Sequence, residues 1–203
     1  MQVSRASEAR GQHIAALRRR FGWAEPHPSG RTPALILLSG LPGTGKSHLA
    51  EALSSQFNMI VLRSDEVRKA LYSAPRYGPS ENRRVYLTCY SLIDTLLADR
   101  YAVVFDATNL RRHGRRRAHD LAHEKGAAFL LIVTTSPSDV VAERLRRRAA
   151  GEAATYYSDA DWSVHEKLAG TMEAVSAASE SALVVDTAAG LEPAFEAVRQ
   201  LLR

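Results

Sequence analysis

Apolar residues along this chain alternate between short continuous blocks and stretches where they recur at helical spacing. Ala34-Leu35-Ile36-Leu37-Leu38 is a block of the first kind and predicts a strand buried on both faces. From His48 to Phe57, the positions Leu49, Ala50, Leu53 and Phe57 follow a helical repeat. Asn58 to Leu62 predicts a second strand. Glu81 to Asp99 predicts a long helix with Val85, Leu92, Ile93, Leu96 and Leu97 on its apolar side. Tyr101 to Phe105 is a third strand, Gly114 to Lys125 a helix, and Ala128 to Val133 a fourth strand. Pro137 to Ala150 is a helix opened by a proline whose fixed φ suits a first turn. Ser158 to Ala178 is a helix, Ala182 to Val185 a fifth strand, and Glu192 to Leu202 a closing helix. Strands that alternate with helices predict the α/β class, a parallel sheet covered on both faces.

This pattern starts at Ala34, so residues 1–33 are an N-terminal extension and residues 34–203 the domain. Within the extension, Ala9 to Phe21 predicts a short basic amphipathic helix with Ile14, Leu17 and Phe21 on one side. Glu25-Pro26-His27-Pro28-Ser29-Gly30 breaks it. That helix fits either packing on the domain edge or an arm for a partner or nucleic acid. The 203 residues, 45% hydrophobic, suffice for one full core. No apolar run reaches the length of a bilayer span, so no membrane partner is expected. A single cysteine, Cys89, rules out an internal disulfide, and a cytoplasmic location is the expectation.

The first strand runs straight into Gly40-Leu41-Pro42-Gly43-Thr44-Gly45-Lys46-Ser47. This is a complete G-x-x-x-x-G-K-S phosphate loop, placed between a strand and a helix as the motif requires. Glycines let backbone N–H groups turn toward phosphate oxygens without a Cβ in the way. Lys46 reaches the β- and γ-phosphates, and Ser47 holds Mg²⁺. Gly40, Gly43, Thr44, Gly45, Lys46, Ser47 and His48 are therefore the candidate contacts to a nucleoside triphosphate.

Ligands of a parallel sheet gather beyond the C-terminal strand ends. After the second strand come Asp65 and Arg68, one helical turn apart. A carboxylate there can take a proton from an attacking hydroxyl, and the arginine can hold the acceptor or the phosphoryl group. Ser64 or Asp65 also fits a helix N-cap, and the two roles are compatible. The third strand ends in Val103-Val104-Phe105-Asp106, an apolar strand closed by an aspartate that reaches Mg²⁺. Ala107 stands where a water-activating ATPase often has glutamate. Asn109 either orients substrate or makes an Asx-type turn.

The net charge is +5 and the isoelectric point about 9.6, and basic chains attract phosphate and nucleic acid. Nearly all of this charge is arginine, since the lysines are only Lys46, Lys69, Lys125 and Lys167. Arg111 to Arg117 holds five arginines in seven residues, with Arg111 and Arg115 as candidate acceptor contacts. No aromatics are interleaved to stack bases. In Glu143-Arg144-Leu145-Arg146-Arg147-Arg148, the arginines 144, 147 and 148 share one face. Ala149-Ala150-Gly151 follows as a hinge, the arrangement of a lid that brings arginines onto a γ-phosphate.

The segments GLPGTGKS, RSDEVRKAL, VVFDATNLRRHGRRR and ERLRRR together resemble the P-loop kinases. Within them they resemble the polynucleotide-kinase-like branch, which includes zeta-toxin-like and small predicted kinases. SDADWSVHEKL (Ser158 to Leu168) is similar to a segment that follows the lid in bacterial predicted kinases. The resemblance covers Ala34 to about Thr187. It implies a three-layer α/β sandwich with a five-stranded parallel sheet of order 2-3-1-4-5, and transfer of a γ-phosphoryl group to a hydroxyl with Mg²⁺. It assigns Lys46 and Ser47 to phosphate and Mg²⁺, Asp65 to the general base, Arg68 to the acceptor phosphate, and Asp106 and Asn109 to the D-x-T-N loop. Arg144 and Arg148 fall in the lid, where an arginine of the family touches the β/γ-phosphates. The expected function is an ATP-dependent kinase whose acceptor is a polynucleotide 5′-hydroxyl, ranked slightly ahead of a small-molecule alcohol (a sugar, nucleoside or antibiotic). A nucleotide-binding ATPase or switch is the alternative from another class.

Overall fold

A computed structural model describes residues 32–152, 160–175 and 180–203. The helix expected at Ala9 to Phe21 lies outside them. In chain order the elements are β1 (Ala34–Ser39), α1 (Lys46–Phe57), β2 (Ile60–Arg63), α2 (Ser64–Leu71), α3 (Pro79–Ala98), β3 (Ala102–Asp106), α4 (Arg112–Glu124), β4 (Ala128–Thr135), α5 (Ser138–Ala149), α6 (Trp162–Ala169), β5 (Ala182–Asp186) and α7 (Glu192–Leu201). The five strands form one parallel sheet of order β2-β3-β1-β4-β5. This is the order and class implied by the resemblance.

β1 lies at the centre, and all six of its residues are buried. Alternate residues feed two cores, as the two-residue period of a strand dictates. Leu35 and Leu37 join Leu62, Phe105 and Val133 under α3 and α4, with Val85, Ile93, Leu96, Ala118 and Ala122 facing them. Ile36 and Leu38 join Val61, Val104 and Ile132 under α1 and α7, through Leu49, Leu53, Ala194 and Val198. Burying both faces of β1 fixes its register, so the loop that leaves its C-terminal end has a fixed origin.

Two elements differ from expectation. Asn58 takes a left-handed conformation (φ 53°) that ends α1, so β2 begins at Ile60. The expected helix Ser158 to Ala178 is much shorter. The Asp161 carboxylate accepts the Val164 backbone N–H at 3.0 Å and starts α6 at Trp162, and Gly170 caps its end. Residues 172–175 then run without helical structure along the loop after β3, where the Glu173 N–H donates to the Leu110 carbonyl at 3.0 Å.

Arg115, expected at an acceptor site, belongs to this seam instead. It is 1% exposed. Its Nε donates to Glu180 at 2.6 Å and one terminal nitrogen donates to the same carboxylate at 3.0 Å. The other terminal nitrogen donates to the Leu110 carbonyl at 2.9 Å. The guanidinium thus fastens the segment entering β5 to the loop that follows β3. Breaking a buried ion pair costs about 3–5 kcal/mol, because the remaining charge is left without its partner. Arg115→Ala is expected to lower unfolding free energy by about that amount, measured by denaturant titration. A loss below about 1 kcal/mol would show that the seam does not depend on this pair.

Candidate functional site

The loop between β1 and α1 is held from outside by side chains of four other segments. Gly43 and Gly45 sit at φ 86° and 87°, the left-handed region that favours glycine. A Cβ on Gly45 would lie 2.5 Å from Thr187 Oγ1, and one on Gly43 would lie 2.8 Å from Val141 Cγ1. The contacts are close because the neighbours bind the loop's carbonyls. Thr187 Oγ1 donates to the Thr44 carbonyl at 3.0 Å, and Arg144 donates to the Gly43 carbonyl at 3.3 Å. His165 Nδ1 donates to the Pro42 carbonyl at 2.8 Å. Thr44 Oγ1 bonds Thr134 Oγ1 at 2.7 Å.

Lys46 opens α1 and is buried, with Nζ donating to the Leu41 carbonyl at 2.8 Å. Burial pushes its ammonium down from 10.5 to about 8; Asp106 and Asp65 oppose the shift and Arg148 adds to it. The charges of Asp65, Asp106 and Arg148 thus all act on this one cation. The buried hydroxyl of Tyr86 and thiol of Cys89 are both raised by desolvation, with the Asp65 charge adding to it; the thiol goes to about 12 and is inert. Tyr86 Oη lies 3.4 Å from Thr108 Oγ1, on the loop after β3. The sheet therefore brings the ends of β1, β2 and β3 to one place.

Asp106 pairs in register with Arg63, whose Nε lies 4.0 Å from its carboxylate. Arg63 also meets Glu66 and Glu51, each at 3.4 Å. Burial raises the Glu66 carboxyl, with Arg63 opposing. Ser47 and Asp106 offer one hydroxyl and one carboxylate, hard oxygen donors suited to Mg²⁺. That ion keeps several waters and completes its shell with substrate phosphates rather than an all-protein cage. The donor set fits the ion that the motif implies. His48 is exposed on α1.

Arg68 is placed differently from expectation. It is 5% exposed. One terminal nitrogen donates to Glu81 and the other to Asn82 Oδ1 at 2.7 Å. Its guanidinium lies 4.6 Å from the Tyr77 ring centroid. The Arg76 backbone N–H, with Arg68 adding to it, holds the Glu81 carboxyl below the usual range. Arg68 is thereby bound to α3 and the loop before it. Asn109, at φ 44°, turns the backbone after β3 and donates to the Leu38 carbonyl at 2.7 Å, a turn role rather than an open contact. Arg111 is half exposed and meets Glu173 at 3.1 Å.

The arginines of α5 divide. Arg144 packs into the loop and also donates to Thr187 Oγ1 at 2.9 Å. Arg148 lowers the Lys46 ammonium through its charge and donates to the Ala160 carbonyl at 3.4 Å. Arg147 points outward to Glu152 at 3.2 Å, so the three do not share one environment. Thr134, Thr187 and His165 are the residues that sequence reasoning missed. The first two stand at or just past strand ends, where the rule applied to β1, β2 and β3 also reaches, but a threonine carries no charge to mark it.

The model of the AAA domain family matches residues 35–188. The chain belongs to that family. An uncharacterized protein of Mycobacterium tuberculosis is 26% identical over 188 residues, covering 83% of this chain and 38% of its own length. The chain thus spans well under half of that relative. Chaetomium thermophilum Kti12, in complex with ADP-AlF3, has the same fold: its TM-score is 0.64 at 16% identity, over 83% of this chain and 99% of that one. The Mycobacterium tuberculosis APS kinase, in complex with AMPPNP and APS, aligns with a TM-score of 0.58 at 19% identity, over 84% and 98%. The fold is that of the P-loop kinases.

The depressed Lys46 pKa gives a pH test. Without nucleotide this lysine loses its proton as pH rises through about 8, whereas bound phosphates favour the ammonium. ATP affinity is expected to fall as pH rises above about 8, and binding at pH near 8.5 should take up protons. Calorimetry in two buffers of different ionisation enthalpy measures that uptake. Zero uptake at that pH would contradict the assignment.

Proposed function

We propose that this protein is an ATP-dependent kinase that transfers the γ-phosphoryl group to the hydroxyl of a small molecule. The observation that carries the reading is the position of Asp65. It stands in the first turn of α2, which continues β2 directly from Arg63, the residue in register with Asp106, so a base lies beyond the same strand ends as the loop that carries Lys46. In the reaction, the acceptor oxygen bonds to the γ-phosphorus as the bond to the β-phosphate oxygen breaks. The hydroxyl proton passes to Asp65, and ADP leaves. Lys46 and Arg148 balance charge on the phosphoryl oxygens. Mg²⁺, held by Ser47 and Asp106 with the phosphates, would supply further charge neutralisation there. Ala107 offers no group to activate water, which favours transfer over hydrolysis.

The acceptor class rests on the arginines. A polynucleotide end brings phosphates that need cations not already matched by carboxylates. Arg68 is committed to Glu81, Arg115 to Glu180 and Arg111 to Glu173. The three arginines expected at the acceptor are therefore each matched by a carboxylate, which favours a small alcohol over a polynucleotide end.

The test is γ-labelled ATP with a panel of sugars, nucleosides, aminoglycosides and 5′-hydroxyl oligonucleotides. A small alcohol should be labelled. Asp65→Ala should lower that transfer by about 10²–10⁴-fold, the range of a lost general base, and leave nucleotide binding intact. Label on oligonucleotides alone would return the acceptor to nucleic acid. Steady hydrolysis with no labelled acceptor would favour the ATPase or switch.

A further inference from the structure

Helix α6 has no part in the reaction as drawn, yet it is attached to the site at two points. Arg148, whose charge acts on Lys46, donates to the Ala160 carbonyl just before the helix. Midway along α6, His165 Nδ1 donates to the Pro42 carbonyl at 2.8 Å, across 123 positions of sequence. Trp162 stacks on the His165 ring, with centroids 5.0 Å apart and planes 6° from parallel. The Asp161 cap, which accepts from Val164 N–H at 3.0 Å and Ser163 Oγ at 2.7 Å, sets where both rings emerge.

The Pro42 carbonyl is a telling place for this bond. Lys46 Nζ rests on the Leu41 carbonyl next door, which marks this arch as the end of the loop near the β/γ-phosphates. A trans peptide is planar, with its C=O and N–H pointing opposite ways. Pulling the Pro42 oxygen outward therefore aims the Gly43 N–H inward, at the cradle. The Gly43 carbonyl is held the same way by Arg144, and the Thr44 carbonyl by Thr187. His165 completes that set from a segment outside the parallel sheet.

We propose, on the kinase reading above, that His165 is a positioning residue for phosphoryl transfer. By fixing the Pro42 peptide it aims the Gly43 N–H at the charge that develops between the β- and γ-phosphates, and Trp162 holds its ring in plane. A preorganised donor of this kind acts more on the transition state than on the ground state. ADP should therefore tolerate its loss better than a mimic of the phosphoryl group in flight.

The test needs no acceptor. Dissociation constants are measured for ADP–Mg²⁺ and for ADP–Mg²⁺ with aluminium fluoride, in the wild-type protein, His165→Ala, His165→Asn and Trp162→Phe. In His165→Ala, affinity for the aluminium fluoride complex should fall about tenfold or more beyond any loss for ADP, the scale on which small misplacements act. Asn offers an N–H near the position of Nδ1 and should recover most of the difference. Trp162→Phe retains a stacking ring and should stay close to wild type. Equal losses for both ligands, no loss, or an Asn variant as impaired as Ala would overturn the proposal. A wild-type protein that binds neither ligand would overturn the kinase reading itself, a separate outcome.

Discussion

The structure depends on how the carbonyls of one loop are held. A phosphate loop must present several N–H groups inward, an arrangement that backbone alone does not favour, since each inward N–H leaves a carbonyl facing outward that needs a donor. Here three of those donors come from distant parts of the chain, Arg144 on α5, Thr187 after β5 and His165 on α6, and Lys46 supplies a fourth from the loop's own helix. Gly43 and Gly45 are required twice over, for their positive φ and because Val141 and Thr187 occupy the space of a Cβ. The order of the sheet follows the same need. With β1 between β3 and β4, the loop emerges where the ends of neighbouring strands can reach it from both sides.

A second consequence concerns charge. The chain carries an excess of arginine, which reads in sequence as a surface for phosphate. In the folded protein much of it works as internal fastening. Arg115 closes the seam between the loop after β3 and the approach to β5. Arg68 joins α2 to the start of α3 through Glu81 and Asn82, and Arg63 gathers Glu51, Glu66 and Asp106. A guanidinium suits such sites because its rigid fork meets several acceptors at once and keeps its charge when buried. Net charge alone therefore says little about what this protein binds, and Arg68 and Arg115 show why.

How much was legible in sequence followed from distance along the chain. The strand, loop and helix from Ala34 to Phe57 were readable because the motif and both periodicities are local. Asp65 and Asp106 were readable because a carboxylate at a strand end is conspicuous. The partner of Arg115 lies 65 positions away and that of His165 lies 123 away, and no local pattern records either. The length of α6 was misjudged for a related reason. Helical spacing continues past Gly170, but the chain there is drawn to Leu110, Arg111 and Arg112, and tertiary contacts outweigh a weak propensity.

Asp65 and Asp106 both act on the Lys46 charge, and they follow or end different strands. Asp106 ends its strand beside Arg63 and is followed by a buried alanine, so a carboxylate that takes up a proton has to come from another element. On the proposed reading Asp65 supplies it, because β2 passes into α2 without an intervening loop. The first turn of the helix is thereby set at the same level of the sheet as the Asp106 carboxylate, and Glu81 holds Arg68 one turn further on. On the proposed kinase reading, an acceptor approaches over α2 with its hydroxyl between Asp65 and the arch to which His165 is bonded. Donor and acceptor then share one short stretch of backbone, Leu41 to Gly43. That is why a histidine more than a hundred residues downstream can bear on the transfer step without touching either substrate.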